Sequence, residues 1–444
     1  MDILIQVLQL LLSLSVLVIV HEFGHFAAAK IFHTKVEKFY LFFNPGFALF
    51  KFKYGETEYG MGWLPLGGYV KIAGMIDESM DKEQMAKDPE PWEFRSKPAW
   101  QRLIIMLGGV IMNVVLAMVI YIVMVASYGE EYLPNSAVKY GIQVDSLGQT
   151  IGLQNGDKIL SLGGNEVDDF MKIPASLLLD EVGYIEVDRG GEHLKLPVTN
   201  QFIGDLIASE KPGFIMPRMP VRISEFAESS NAQTAGIEKG DWIKSVNGQD
   251  VLFFDQFQIF RDSVDAHKGE QVLVVVKRGE QELDYQVMVA EDGLIGISVG
   301  ADLSMDFEMK SYEYTIIQAV PRGIEKAIDQ IDNYLKQLKL LVNPEMKAYK
   351  SVGGFIKIGS IFPDTWDWLK FWNLTAFLSI MLAVLNILPI PALDGGHVMF
   401  LMYEIIARRA PSEKFMEYAQ YVGMILLLAL LVFANGNDIW NLFK

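Results

Sequence analysis

Apolar residues fall into four long blocks, separated by stretches in which polar and apolar positions alternate over short runs. The blocks are Ile3–Ile31, Leu103–Ser127, Phe371–Ile390 and Met416–Phe433. Each meets the roughly 17–25 residues that a helix needs to cross the hydrocarbon core of a bilayer. Only Met1 and Asp2 precede the first block, without the basic start of a cleavable leader, so it reads as a retained membrane helix. Between the second and third blocks, apolar residues alternate with polar ones between glycines, which predicts short strands.

That middle region repeats itself. "GLQNGDKILSLGGNEV" starts at Gly152 and "GIEKGDWIKSVNGQDV" at Gly236. Gly152, Gly156, Asp157, Ile159, Ser161, Gly164 and Val167 align with Gly236, Gly240, Asp241, Ile243, Ser245, Gly248 and Val251. Each copy continues into a helical stretch and a strand, Arg-Gly, strand hairpin, "YIEVDRGGEHLKLPV" and "VLVVVKRGEQELDYQVMV". The pattern resembles the PDZ domain, and the resemblance implies a groove that accepts a peptide as an extra strand. A pair of β-rich domains that only spaces or shields something is the plainer alternative.

Composition sharpens this division. Hydrophobic residues make up 51% of the chain, and mean hydropathy is +0.23, a value that fits membrane helices joined to a sizeable water-facing part. The net charge of −17 is concentrated between Gly129 and Lys310, where 31 acidic residues face 15 basic ones. So acidic a region argues against nucleic acid as a partner and against docking on anionic lipid. Basic residues flank the blocks instead, from Lys30 to Arg102 and at Arg408, Arg409 and Lys414. By the positive-inside rule both segments are cytoplasmic, and four crossings put the acidic middle region on the outer side. The chain has no cysteine, so any transition-metal site must use His, Asp or Glu.

The candidate chemistry lies inside the first block. His21 and His25 are four residues apart, one above the other on a helix face, and Glu22 adjoins the first. A charge at bilayer depth costs at least ~2.5–3.5 kcal/mol on insertion scales, so an ionisable cluster there reads as functional. The spacing is that of HExxH, in which two imidazoles hold a metal and the glutamate acts as a base. A polar cluster that only glues helices together is the competing reading. A catalytic zinc needs a third protein ligand and an open position. In the third block, Pro389 and Pro391 interrupt a run too long for one crossing, and Asp394, Gly395 and Gly396 are expected in irregular backbone that lines a cavity. Asp394 is the obvious third ligand and His397 its rival.

Three further features adjoin this chemistry. Gly109, Asn113 and Ala117 recur every four residues on the second block, predicting close packing against the first helix with Asn113 hydrogen-bonded across it. "GMGWLPLGGYVKIAG", Gly60–Gly74, reads as a hairpin or strand at the membrane surface. It either covers the site or offers an edge to an unwound substrate. Tyr314–Leu341 reads as an amphipathic helix, either linking the outer region to the third crossing or lying on the surface.

HExxH in the first membrane helix, N-x-x-P-x-P-x-L-D-G from Asn386 in the third, and PDZ-like repeats between the second and third together resemble the site-2 protease family. Within it they are most similar to the bacterial regulator-of-sigma-E protease branch with two PDZ domains. "PLGGYVKI" at Pro65–Ile72 and "FRSKPAWQRLIIMLGGVIMNVVLA" at Phe94–Ala117 are also similar to that branch. The resemblance implies an α-helical membrane protein with four transmembrane helices and two β-rich PDZ-like domains inserted between transmembrane helices 2 and 3. The expected partition is an N-terminal membrane part over 1–127, PDZ-like domains over 128–213 and 214–310, an amphipathic connection over 311–365, and a C-terminal membrane part over 366–444.

It further implies an intramembrane metalloprotease with one Zn2+ per chain on His21, His25 and Asp394, and Glu22 as general base. Asn386 would hold the substrate backbone, and Tyr69, Val70 and Lys71 would form the strand that receives it. The implied partners are membrane lipid and pre-trimmed transmembrane proteins such as anti-sigma factors. Peptide chains at the PDZ-like domains are further candidates. The implied location is the bacterial inner membrane, with the PDZ-like domains in the periplasm and the active site toward the cytoplasm. The acidic loop Ile76–Pro91, and "VGGFIKIG" where the branch usually has Gly-Pro-Ile-Ser, depart from the pattern and bear on substrate identity. Two other classes compete: a membrane-anchored PDZ scaffold or receptor with a structural metal, and a metal transporter. The second and fourth blocks lack core charges for a transporter's relay path.

Overall fold

A computed structural model describes residues 2–443 apart from 66, 76–87, 210–212, 301, 345, 347 and 349–351, so most of the acidic loop lies outside the described residues. Among the described residues, four helices are long and apolar enough to cross a membrane. The long helices are α1 (Asp2–Ile31), α2 (Ala99–Tyr128), α3 (Ile316–Leu341), α4 (Trp368–Ile387), α5 (Asp394–Ala407) and α6 (Glu413–Leu442). Caps carry several of them beyond the apolar blocks. Asp367 accepts the Lys370 N–H at the start of α4, Ser412 accepts that of Phe415 in α6, and Gly129 at φ +67° ends α2. The chain forms two compact units, one of Met1–Gly129, Glu313–Lys339 and Tyr349–Lys444, the other of Glu130–Tyr312 and Leu340–Ala348.

In the first unit, α1 and α2 touch backbone to backbone. A Cβ on Gly24 would fall on the Gly108 carbonyl, and one on Gly108 would fall on that of Gly24. Small residues at a crossing allow this approach between helices in lipid. Hydrogen bonds add α4 to the pair: Thr375 Oγ1 lies 3.0 Å from Ser13 Oγ of α1, and Ser379 Oγ donates to the Asn113 carbonyl of α2 at 2.7 Å. Ala117 does not share the α1 face with Gly109. It clusters with Ala327 and Tyr334 of α3 and Ala376 and Ile380 of α4. Eight residues at 3.6 per turn rotate a side chain about 80° away, which explains the departure from the expected stripe.

A four-stranded sheet follows α1, built from β1 (Val36–Leu41), β2 (Phe50–Tyr54), β3 (Thr57–Met61) and β4 (Tyr69–Ile72) in the order β2-β3-β1-β4. Of the hairpin or strand expected over Gly60–Gly74, the strand forms, as β4, and the hairpin does not. β1 lies between the two strands, parallel to β3 and antiparallel to β4, with Phe39 opposite both Tyr59 and Val70. Val36 and Tyr40 are buried, so β1 is the strand that belongs in the centre. The connection holding Gly62, Pro65, Gly67 and Gly68 is too long for a tight turn and crosses over it. Among the described residues, β4 is an edge strand.

Irregular backbone does interrupt the third apolar block, but it ends at Leu393, three residues earlier than expected. α4 stops at Ile387, Pro389 and Pro391 carry no N–H, and Ala392 sits at φ +79°. Asp394 is instead the first residue of α5, where unpaired N–H groups favour a carboxylate. Gly395 and Gly396 are helical. They are needed for closeness, since a Cβ on either would collide with the backbone of residues 387–391.

The second unit holds two separate apolar cores. One includes Ile159, Leu162, Ile185 and Val187, the other Ile243, Val246, Val274 and Val276. The aligned segments form equivalent strands, Lys158–Leu162 and Trp242–Val246, each paired with the first strand of its hairpin. In the first hairpin Gly190 and Gly191 both have positive φ, as a two-residue primed turn requires. Both copies carry the same buried clamp. Asp157 accepts Arg189 Nε and Nη2 at 2.7 and 2.8 Å, and Asp241 accepts Arg278 Nε and Nη2 at 2.8 and 2.7 Å. The aspartate of each "GD" and the arginine of each "RG" are therefore one bidentate pair, repeated.

Candidate metal centre

The helical period of α1 stacks His21 and His25 on one face, both buried. Gly109 of α2 faces that pair, and α5 brings Asp394 against it from the far end of the chain. Three atoms converge. His21 Nε2 and His25 Nε2 are 3.2 Å apart, and Asp394 Oδ2 lies 3.2 Å from the first and 3.3 Å from the second. Ligands about 2.0–2.1 Å from a tetrahedral zinc stand roughly 3.3–3.4 Å from one another, so the triangle matches one face of such a site. Asp394 Oδ2 is buried with no hydrogen-bond partner, which is the state of a carboxylate oxygen shaped for a cation. The residues present fit zinc, and they leave the fourth tetrahedral position without a protein ligand among the described residues.

The backs of both imidazoles are also held. His25 Nδ1 lies 2.8 Å from the Ile105 carbonyl, which accepts its proton and leaves Nε2 free for a metal. Asn113 Nδ2 lies 3.1 Å from His21 Nδ1, while Asn113 Oδ1 is buried without a hydrogen-bond partner. A metal-ligating His21 carries its proton on Nδ1, and Asn113 turned about its amide axis accepts that proton through Oδ1, satisfying both groups. Asn386, at the end of α4, reaches the same place, with Nδ2 3.4 Å from His21 Nε2.

Of the expected site residues, His21, His25, Asp394 and Asn386 are gathered within this cluster. Glu22 lies beside it, in electrostatic range of both histidines and Asp394, and the backbone amide of Val70 faces its carboxyl group. Gly68, at the entry to β4, packs against Val18 and Glu22 of α1. The side chains of β4 are used elsewhere. Tyr69 stacks between Tyr40 and Phe43 at ring distances of 5.3 and 6.2 Å, and Lys71 pairs with Glu37 at 3.3 Å. Tyr40 is a firm base for that stack. Burial and then the adjoining Glu58 carboxylate push its phenol well above the ordinary tyrosine range, so it stays protonated and donates to Glu58 at 2.8 Å.

His397 is not part of the triangle. Its Nε2 lies 2.9 Å from the Gln420 side chain of α6. The Ile105 carbonyl is the component that the residue pattern alone did not single out, and Gly109 is singled out there as a packing residue, not as a neighbour of the imidazoles. Gly109 sits one turn ahead of Asn113, a lone polar residue in an apolar helix, and that pairing is the available signal.

A family model described as Peptidase family M50 matches residues 9–430. The chain is 27% identical over 457 residues to the "Regulator of sigma E protease" of Haemophilus influenzae, covering 97% of this chain and 98% of that one. It is 27% identical over 465 residues to a "Putative zinc metalloprotease" of Xylella fastidiosa, covering 99% of each. A relative of the same printed name from Vibrio cholerae is 26% identical over 474 residues, covering 99% of this chain and all of that one.

Proposed function

The chain belongs to Peptidase family M50, and from that premise we infer that it is a zinc metalloprotease that hydrolyses peptide bonds within membrane-spanning segments. The observation that carries this reading is the tetrahedral spacing of His21, His25 and Asp394, with Glu22 beside them on a membrane helix. Zinc at that position supplies Lewis acidity and lowers the pKa of water toward neutrality. His21, His25 and Asp394 hold the ion, and Ile105 and Asn113 orient the two imidazoles. Glu22 accepts a proton from the attacking water at its carboxylate and returns it to the leaving amine nitrogen. The amide of Asn386 steadies the substrate backbone. His21 is ten residues from the end of α1, roughly 15 Å of helix rise, which sets the reaction below the lipid surface.

A substrate helix must unwind before attack, because its carbonyls are already hydrogen-bonded. The edge of β4 then receives the extended segment by strand addition, with Val70 nearest Glu22. Proline at Val70 removes an outward N–H and is expected to lower cleavage about 10- to 100-fold, the worth of one or two hydrogen bonds. Zinc content stays at one per chain, and unchanged turnover would sink the pairing idea.

The two β-rich copies act as PDZ-like modules on the outer face, and the basic segments lie on the cytoplasmic side. The substrates on this reading are single-span membrane proteins already trimmed of their outer domains, of the anti-sigma-factor kind, in the bacterial inner membrane. Purified protein should contain one zinc per chain and cut a tagged single-span substrate in detergent. Chelation should abolish cutting, and zinc should restore it. Asp394→Ala should lose both metal and activity. Metal-free protein, or an active Asp394→Ala variant, rejects the reading.

A further inference from the structure

The loop between α4 and α5, residues 388–393, sets where Asp394 starts its helix, and it is held in an unrelaxed shape. Ala392 lies at φ +79°, a region that costs a residue with a side chain and persists only where the surroundings impose it. Two helices press on the residue before it. From α5, a Cβ on Gly396 would stand 2.6 Å from Pro391 Cα. From α6, a Cβ on Gly423 would fall on the Pro391 carbonyl and lie 2.9 Å from Pro391 Cβ. Pro391 is therefore gripped between glycines of two different helices.

We propose that α6, which supplies no ligand to the triangle, positions its third member, and that Gly423 is the positioning residue through which it acts on Asp394. The inference rests on the reading of His21, His25 and Asp394 as the zinc ligands. Three observations support it. The first is the contact itself. Without a Cβ on Gly423, the main chain of α6 backs the loop directly, and main chain cannot yield as a flexible side chain would. The second is how narrow that bearing is. Gly423 is buried, while its neighbours Val422, Met424 and Ile425 are 67%, 40% and 64% exposed.

The third is register. Phe415 of α6 meets Phe400 edge-on, with ring centres 5.9 Å apart, Gln420 lies 2.9 Å from His397 Nε2, and Gly423 meets Pro391. As α6 advances, its partners step back along α5 toward Asp394 and then past it into the loop. His397 is about one turn from Asp394 on α5, so the contacts on either side of the ligand both come from α6. A Cβ at position 423 must push Pro391 away or lift α6 from the loop. In either case the backbone at Ala392 changes, and Asp394, two residues on, turns away from the imidazoles.

The test uses the full-length protein in detergent and two readouts besides cleavage: zinc affinity against a competing chelator, and the visible spectrum of the Co2+-loaded protein, which reports ligand geometry. Gly423→Ala should weaken zinc about 10- to 100-fold and alter the Co2+ bands even at saturating metal. Gly436→Ala, on the same helix with nothing within 4 Å of its Cβ, should match the unmodified protein in both. Unchanged affinity and spectrum in Gly423→Ala overturn the proposal, as does an equal loss in Gly436→Ala. If Gly423→Ala does not yield folded protein, Gln420→Ala removes the neighbouring tie without adding bulk. It should shift the same bands, and an unchanged spectrum there overturns the proposal as well. Failure of the ligand reading looks different, since the unmodified protein would then lack zinc or Asp394→Ala would keep it.

Discussion

Glu22→Gln is expected to lower kcat by about 10²–10⁴-fold while the protein keeps one zinc per chain. The substitution preserves shape and removes only the group that takes up and returns a proton. Glu22 does not contribute to the ligand triangle, which His21, His25 and Asp394 complete among themselves at 3.2–3.3 Å. Its carboxyl group faces the Val70 amide at the edge where the substrate strand is proposed to lie. Metal analysis and single-turnover cleavage of the same preparation separate the two possible roles. Loss of zinc together with activity would make Glu22 a ligand, and undiminished cleavage would remove it from the mechanism.

Gly109→Ala is expected to weaken zinc binding about 10- to 100-fold, the usual penalty for disturbing the groups around metal ligands, with turnover falling alongside. A Cβ at this position would stand 2.5 Å from both His25 Nε2 and His21 Cε1, and 2.7 Å from His21 Nε2. Parting the helices to make room would break the backbone-to-backbone contact of Gly24 and Gly108 beside it. The imidazoles must rotate, and the triangle opens. Gly436→Ala in α6, where a Cβ meets nothing within 4 Å, is the matched control. Zinc titration against a competing chelator reads the effect, and full affinity in Gly109→Ala would show that the rings have another way to adjust.

Much of the candidate metal centre is legible in the sequence. Two histidines four apart meet on any helix, and in a cysteine-free chain an acid near a proline-broken membrane segment is a strong third ligand. The four apolar blocks and the duplicated β-rich region were equally plain. Less legible were features that depend on which strand lies beside which. Tyr69 and Lys71 look available in sequence, yet a stack on Tyr40 and a pair with Glu37 occupy their side chains. Arg189 and Arg278 read as parts of two hairpin turns, but each reaches back across its sheet to a buried aspartate.

By itself, the order of residues determined the local periodicities: which stretches are long and apolar enough to span lipid, which histidines share a helix face, and where prolines end a helix. Those depend on bond geometry and on solvation of neighbours within a few turns. Only the tertiary structure decided that β1 separates β3 from β4, that Ala117 turns toward α3 and α4, and that Asp394 opens a helix whose glycines press on the preceding loop. It also decided that Asn113 stands behind His21. These outcomes come from contacts between residues far apart in the chain, where close packing and the need to satisfy buried polar groups select among arrangements that local pattern leaves equal.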